Sequence, residues 1–256
     1  MHDFTYPPVI WTAKAAFRLL GQKITLTGTE NVPTEGGVLL AVNHIGYVDF
    51  IYGGLAAHPS RRLVRFMAKR EVFDHPVGGP VMRSFHHIPV DRGDGVPSME
   101  MAVDYLRAGE AVGIFPEATI SRSFELKEFK TGAVRIAAAA GVPVVPVVLW
   151  GTQRMMTKGH SRDFSRGMAI TVRAGVPLHP TGDDPIAETA ELKASMAAML
   201  DEVIAAYPAD QQPEGSWWLP ARFGGSAPTL EQAKELEVAE RRERARRRAE
   251  ARKGKK

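Results

Sequence analysis

The chain has 256 residues, of which 44% are hydrophobic, so it is long enough to bury one sizeable core. It contains no cysteine, which excludes a disulfide framework, a thiolate nucleophile and a thiolate metal site. The formal net charge of +4 is unevenly distributed, because residues 229–256 hold eleven Lys and Arg against six Glu, a net +5. The rest of the chain is close to neutral, which argues against a nucleic-acid binder.

Hydrophobic periodicity predicts strands that alternate with helices along most of the chain. The predicted strands are 24–27, 38–42, 64–68, 87–90, 111–115, 144–150 and 168–174. The predicted helices are 8–20, 48–57, 77–85, 98–108, 132–140, 188–206 and 229–252. This alternation predicts a layered α/β fold with a largely parallel central sheet flanked by helices, and with a charged helix at the C-terminus.

We expect one domain over residues 1–228, followed by a basic, charged helical tail over residues 229–256. The helix 8–20 either packs on the domain or inserts at a bilayer interface with Trp11 at headgroup depth. Residues 208–228, rich in proline, glycine and aromatic residues, predict an irregular strap over the body. For the tail, a solvated helix and a helix that docks on anionic lipid both fit the charge pattern.

The expected location follows from two absences in the sequence. Residues 1–4 lack the basic and apolar regions of a signal peptide. The longest apolar stretch, residues 136–151, contains two prolines and two glycines and falls short of a membrane span. We therefore expect a cytoplasmic protein that is peripheral on the inner face of the plasma membrane.

Two short motifs follow predicted strands, where ligands collect in α/β folds. The first is Asn-His-Ile-Gly-Tyr-Val-Asp at 43–49, and the second is Ile-Phe-Pro-Glu-Ala-Thr-Ile-Ser at 114–121. In the first motif, His44 can serve as a general base, and Asp49 can orient it from the first turn of the next helix. Taken alone, His44 also fits a histidine that bonds locally at a helix start.

These motifs resemble those of the glycerolipid acyltransferase family, the 1-acylglycerol-3-phosphate or lysophospholipid acyltransferases of the His-x4-Asp type. That family is marked by four blocks in order, and the first is present as His44 and Asp49. The other blocks resemble Ile-Pro-Val-Asp-Arg at 88–92, Phe-Pro-Glu-Ala-Thr-Ile-Ser at 115–121 and Val-Pro-Val-Val-Pro-Val at 142–147, preceded by Phe-Lys-Thr-Gly-Ala at 129–133. The resemblance covers about residues 20 to 180.

The resemblance implies an O-acyltransferase of phospholipid biosynthesis, with 1-acyl-sn-glycerol 3-phosphate as the leading acceptor. The expected partners are acyl-CoA or an acyl carrier protein as co-substrate, a lysophospholipid and an anionic membrane surface. No further cofactor, no metal and no nucleic acid is expected. Two alternatives remain open: a non-catalytic lipid-binding protein of the same fold, and an acyl-thioester hydrolase.

The resemblance also assigns residue roles. His44 would take the proton of the acceptor hydroxyl, and Asp49 would fix the histidine tautomer. The residues expected to bind substrate are Arg92, Glu117, Thr119, Arg122 and Lys130. Arg92 would anchor the acceptor phosphate, Glu117 would bond glycerol hydroxyls or position basic side chains, and Lys130 would approach a phosphate. Apart from the resemblance, Arg92 and Lys130 also fit surface residues, and Glu117 fits a solvated loop residue.

The third block departs from the family pattern at two positions. Ala118 stands where the family has glycine, and Ile120 stands where it has the arginine expected to touch the acceptor phosphate. The isoleucine removes a charged donor, which Arg122 could replace if the loop is extended. The departure leaves His44 and Asp49 intact and makes a phosphate-free or larger acceptor possible.

Overall fold

The structure, a computed structural model, describes residues 6–76, 78–91 and 93–253. The described residues form a seven-stranded sheet with the strand order β1-β7-β6-β2-β5-β3-β4. Its strands are β1 (Lys23–Thr27), β2 (Val38–Val42), β3 (Val64–Lys69), β4 (Ile88–Val90), β5 (Ala111–Ile114), β6 (Val144–Trp150) and β7 (Ala169–Ala174). Neighbouring strands are parallel except β6 and β7, which run antiparallel. The predicted α/β class with a largely parallel sheet is confirmed.

One helix precedes the first strand, and the others lie between and after the strands, most of them close to the predicted positions. They are α1 (Tyr6–Leu19), α2 (Asp49–Leu55), α3 (Arg70–Phe73), α4 (Gly78–Ser84), α5 (Val96–Arg107), α6 (Gly132–Ala140), α7 (Thr152–Met155), α8 (Pro185–Ala205) and α9 (Leu230–Lys253). The single turns α3 and α7 were not predicted, because four residues are too few to show helical periodicity. No helix in the described part of the chain combines the length and the apolar character needed to cross a membrane.

The central strands β2 and β6 are buried along their whole length. Since side chains alternate between the two faces of a strand, Leu39 and Ala41 join the core that α5, α6 and α8 cover. Leu40 belongs to the core on the opposite face, which includes Tyr52 of α2. Helices therefore cover both faces of the sheet, which explains why these strands are continuous hydrophobic runs.

The carboxyl ends of β2, β5 and β6 meet at one edge of the sheet, because these strands are parallel neighbours. Asn43 follows β2 and is fully buried. Its side-chain amide donates to the carbonyl of Leu149 at 3.1 Å and accepts from the Leu149 N–H at 2.7 Å. The amide thus extends the hydrogen-bond ladder to β6 and fixes the chain where it enters the His44 loop. Because β2 and β5 are parallel neighbours, the first and third blocks, which follow them, lie side by side.

Candidate active site

The candidate site is built around His44 and Asp49, at the carboxyl end of β2. His44 lies in the loop after the strand, and Asp49 is the first residue of α2. The two atoms that join them, Nδ1 of His44 and Oδ2 of Asp49, are 3.0 Å apart. The histidine side chain is 20% exposed, whereas the aspartate is fully buried. The structure thus brings the predicted pair together and leaves the imidazole of His44 partly exposed to solvent.

Asp49 is held by donors from two segments of the chain. Its Oδ2 accepts the backbone N–H groups of Ile45 and Gly46, each at 2.7 Å. Its Oδ1 accepts the hydroxyl of Thr152 at 2.6 Å. With the bond to His44, four donors fix this carboxylate in position. Sequence reasoning missed Thr152, although its place directly after the buried strand β6 is a signal of the same kind as that of His44.

The segment after β6 also packs tightly against the His44 loop. A Cβ atom added at Gly46 would lie 3.0 Å from the carbonyl oxygen of Met156 and 3.1 Å from that of Thr152. The hydroxyl of Thr157 donates to the carbonyl of Ile45 at 2.7 Å. Glycine is therefore the residue that fits this close backbone approach. The contacts hold the loop in the shape that lets Asp49 reach His44.

The imidazole of His44 is positioned on its flat side by an aromatic stack. Its ring lies on the ring of Phe115, with centroids 4.2 Å apart and planes 21° apart. Phe115 in turn stacks on Phe66 of β3 at 5.6 Å. Because a carboxylate only accepts, the bond to Asp49 assigns the proton to Nδ1 and leaves Nε2 as the basic nitrogen. The arrangement can therefore accept a proton from a bound hydroxyl group.

Glu117 joins the third block to the His44 loop. Its Oε1 accepts the backbone N–H of His44 at 2.7 Å, and its Oε2 accepts that of Lys127 at 3.0 Å. The residue is 4% exposed, so the interpretation of Glu117 as a solvated loop residue is wrong. Both carboxylate oxygens bond backbone groups, which gives Glu117 a positioning function between two loops. A direct contact with substrate stays a prediction.

Burial raises the pKa of Glu117 to about 7, although the N–H groups of His44 and Lys127 favour its ionised form. The folded protein thus holds this proton more tightly than the unfolded chain does. The resulting stability is complete below the ordinary pKa of 4.5 and is lost as the pH rises through 7. Relative to Glu117→Gln, the wild-type free energy of unfolding should fall by about 3 kcal/mol between these pH values. Urea unfolding of both proteins from pH 4.5 to 8 measures this, and a constant difference would contradict it.

The two departures in the third block have different structural consequences. Ala118 adopts a φ of 58°, the left-handed conformation that glycine favours. The alanine therefore takes a backbone conformation that is strained for a residue with a Cβ atom. Ile120 is 3% exposed and faces the interior, so nothing charged replaces the family arginine at that position. Arg122 is part-buried, and its Nη2 donates to Glu240 of α9 at 3.1 Å. Arg92, the other predicted phosphate anchor, lies outside the described residues.

The remaining basic candidates differ in their surroundings. Lys130 is exposed, and its backbone N–H donates to the carbonyl of Pro116 at 2.9 Å. Lys69, the last residue of β3, forms an ion pair with Glu71 at 2.8 Å. Lys127, which sequence reasoning missed, donates from Nζ to the hydroxyl of Thr119 at 2.5 Å. The structure therefore places the predicted site residue Thr119 beside Lys127, a cation in the segment that follows the third block.

The C-terminal helix α9 reaches the segment that follows the third block. Nζ of Lys127 lies 2.5 Å from Oε1 of Glu237, and the Arg122–Glu240 pair adds a second link. These partners are more than 100 residues apart in the chain, and their separation in sequence gave no sign of the contact. The part of α9 that contains Glu237 and Glu240 therefore adjoins the candidate site. The arginine-rich residues 241–248 lie farther along the helix.

Comparisons with known proteins agree with this architecture. A family model described as Acyltransferase matches residues 23–150, half of the chain. A 1-acyl-sn-glycerol-3-phosphate acyltransferase of Bacillus subtilis is 37% identical over 59% of this chain and 71% of that protein. A chloroplastic protein of the same name from Arabidopsis thaliana is 32% identical over 67% of this chain, which spans 48% of that relative.

The fold also matches a solved structure. The crystal structure of the 1-acyl-sn-glycerophosphate acyltransferase PlsC from Thermotoga maritima aligns with a TM-score of 0.66 and 24% identity. The alignment covers 79% of this chain and 81% of that chain. At this identity the likeness concerns the fold. Together with the family match and the similarity to the Bacillus protein, it confirms the resemblance that the four blocks indicated: the chain belongs to the acyltransferase family.

Proposed function

We propose that the protein transfers a fatty acyl group from acyl-CoA to the free hydroxyl of 1-acyl-sn-glycerol 3-phosphate. The observation that carries the proposal is the His44–Asp49 pair, with Nδ1 bonded to a fixed carboxylate and the ring partly exposed at the strand edge. The names of the relatives support the acceptor. The choice of acyl-CoA rather than an acyl carrier protein rests on the family resemblance.

In the proposed reaction, the acceptor oxygen attacks the thioester carbonyl while Nε2 of His44 takes its proton. The new C–O bond gives a tetrahedral oxyanion, whose collapse breaks the C–S bond. The departing thiolate then receives the proton from His44, so the ester and the free thiol are the products. Asp49 stabilises the imidazolium that exists between the two proton transfers.

The serines of the third block are not arranged as nucleophiles. Ser121 and Ser123 are buried, and their hydroxyl oxygens lie 3.0 Å apart. The hydroxyl of Ser121 also donates to the carbonyl of Glu125 at 2.7 Å. His44 contacts these serines through its backbone carbonyl, which accepts the Ser121 N–H at 2.7 Å. Among the described residues, the imidazole of His44 is hydrogen-bonded to Asp49 and to neither serine hydroxyl. Direct transfer without an acyl-enzyme is the mechanism that this arrangement favours.

The proposal places the enzyme on the inner face of the plasma membrane, where its lipid acceptor would reside. Helix α1 is attached to the body by Tyr6, whose hydroxyl donates to the carbonyl of Val64 at 2.7 Å, and by Phe17, which stacks on Tyr52. Trp11 on the same helix is 73% exposed. An exposed tryptophan on a helix that also carries basic residues suits the headgroup region of a bilayer.

Incubating the purified protein with acyl-CoA and a panel of lysolipids tests the proposal. We expect phosphatidic acid by mass spectrometry, and free thiol released only when 1-acyl-sn-glycerol 3-phosphate is present. An acyl carrier protein thioester, offered in parallel, decides the donor. Thiol release without acceptor would indicate a hydrolase. No release with either donor would favour a lipid-binding protein without turnover.

A further inference from the structure

Three basic side chains lie together beside the third block: Arg122, Lys127 and Lys158, here called the cation cluster. Lys127 and Arg122 are the partners of Glu237 and Glu240 described above. Lys158 is part-buried and interacts electrostatically with both glutamates and with the other two cations. Like charges repel, so a cluster of this kind is stable when an anion lies among its members.

Arg122 retains hydrogen-bonding capacity inside the cluster. Its Nε is buried and has no hydrogen-bond partner among the described residues. Its Nη1 lies so close to Gly159 that a Cβ atom there would be 2.8 Å away, which places the guanidinium against the residue after Lys158. A guanidinium presents paired N–H groups that match two oxygens of a phosphate. Glu240 uses only part of this donor set.

The two carboxylates in the cluster come from one face of α9. Glu237 and Glu240 are three residues apart, so they are neighbours on the helix surface, and Ala233 on the same face is buried. The apolar residues Leu236 and Val238 are exposed. The described contacts of α9 with the body therefore depend strongly on the ion pairs with the cation cluster.

The cluster is also linked to the catalytic loop. The backbone N–H of Lys127 bonds one oxygen of Glu117, and the other oxygen of Glu117 bonds the N–H of His44. The Thr119 hydroxyl, which accepts from Lys127, supplies a further polar group at the cluster. Ile120 leaves the family's arginine position without charge. An anionic substrate near His44 would meet the cation cluster instead.

We infer that the cation cluster is a binding site for a phosphate monoester, and that Glu237 and Glu240 of α9 occupy it as internal competitors. The inference deepens the proposed function, on which it rests, by naming the site of the acceptor's phosphate. In this arrangement α9 must release the cluster before the phosphate binds. The apparent affinity for phosphate is then the affinity of the open cluster multiplied by the fraction of molecules in which the cluster is open.

Removing the two competing charges tests this inference in the full-length protein. The double variant Glu237→Gln/Glu240→Gln keeps the side-chain shapes and should bind sn-glycerol 3-phosphate about tenfold more tightly than the wild type by titration calorimetry. The matched control, Glu231→Gln/Glu235→Gln, replaces two exposed glutamates of the same helix. It changes the net charge by the same amount as the double variant does. An equal gain in the control, or no gain in the double variant, would overturn the inference.

Two further arms identify the source of the gain. Adding Lys127→Gln to the double variant should abolish the gain, and its persistence would refute the cluster as the site. Adenosine 3′,5′-bisphosphate, which carries the phosphates of the donor's nucleotide end, should show no comparable gain. A gain for this ligand alone would assign the cluster to the acyl donor and overturn the inference.

These measurements separate the inference from the proposed function. Binding of sn-glycerol 3-phosphate is measured without an acyl donor, so its outcome does not depend on turnover. Acyl transfer by a protein whose double variant shows no gain would defeat the inference alone. A gain in a protein that transfers no acyl group would defeat the proposed function and leave the phosphate site standing.

Discussion

Replacing His44 with alanine is expected to lower the kcat of acyl transfer by at least about 100-fold, the range that loss of a general base usually produces. The reason is that the variant lacks the nitrogen that takes the acceptor proton. Rates with acyl-CoA and 1-acyl-sn-glycerol 3-phosphate at saturation measure the effect. His179→Ala, a change at an exposed histidine, is the matched control and should retain wild-type rates.

The fold of the His44→Ala variant should survive, because the ring is partly exposed and Asp49 keeps three other donors after its bond to the ring is lost. Losing that bond and the stack on Phe115 should cost about 2 kcal/mol of the free energy of unfolding. Urea unfolding monitored by circular dichroism checks this point. A folded His44→Ala protein with undiminished turnover would rule out the proposed mechanism.

Asp49→Asn should impair both catalysis and stability. The carboxylate oxygens accept from four donors, and an amide replaces one acceptor with an NH2 group that faces a donor. We expect kcat to fall by at least about 100-fold, because the amide can favour the wrong histidine tautomer. A buried donor left without a partner should lower the free energy of unfolding by about 2 kcal/mol.

Steady-state rates and urea unfolding of the same Asp49→Asn preparation separate the two effects. Asp74→Asn, at an exposed aspartate, is the matched control and should change neither quantity appreciably. A variant with lowered stability and wild-type kcat would show that Asp49 only supports the loop. Unchanged stability would show that the four donors tolerate an amide.

The His44–Asp49 pair shows why part of the site was predictable. Its members are five residues apart, and the end of β2 and the start of α2 are both marked by local hydrophobic patterns. Glu117 was predicted as a site residue, but its burial and its bonds to two backbone N–H groups were not. Thr152 follows β6 as His44 follows β2, but its hydrogen bond to Asp49 joins residues 103 apart in the chain, and no local pattern indicates that partner.

The sequence by itself determined the types and approximate limits of the main strands and helices, and it placed His44 and Asp49 within reach of each other. These features depend on local periodicity and on short spacings, which the order of residues specifies directly. Only the tertiary structure decided the strand order and the antiparallel β6–β7 pair. It also decided that the third block lies against the His44 loop, and that Glu237 of α9 reaches Lys127. Contacts between residues 73 or 110 positions apart depend on how the sheet is assembled and on which buried surfaces pack together. No short stretch of the chain contains that information.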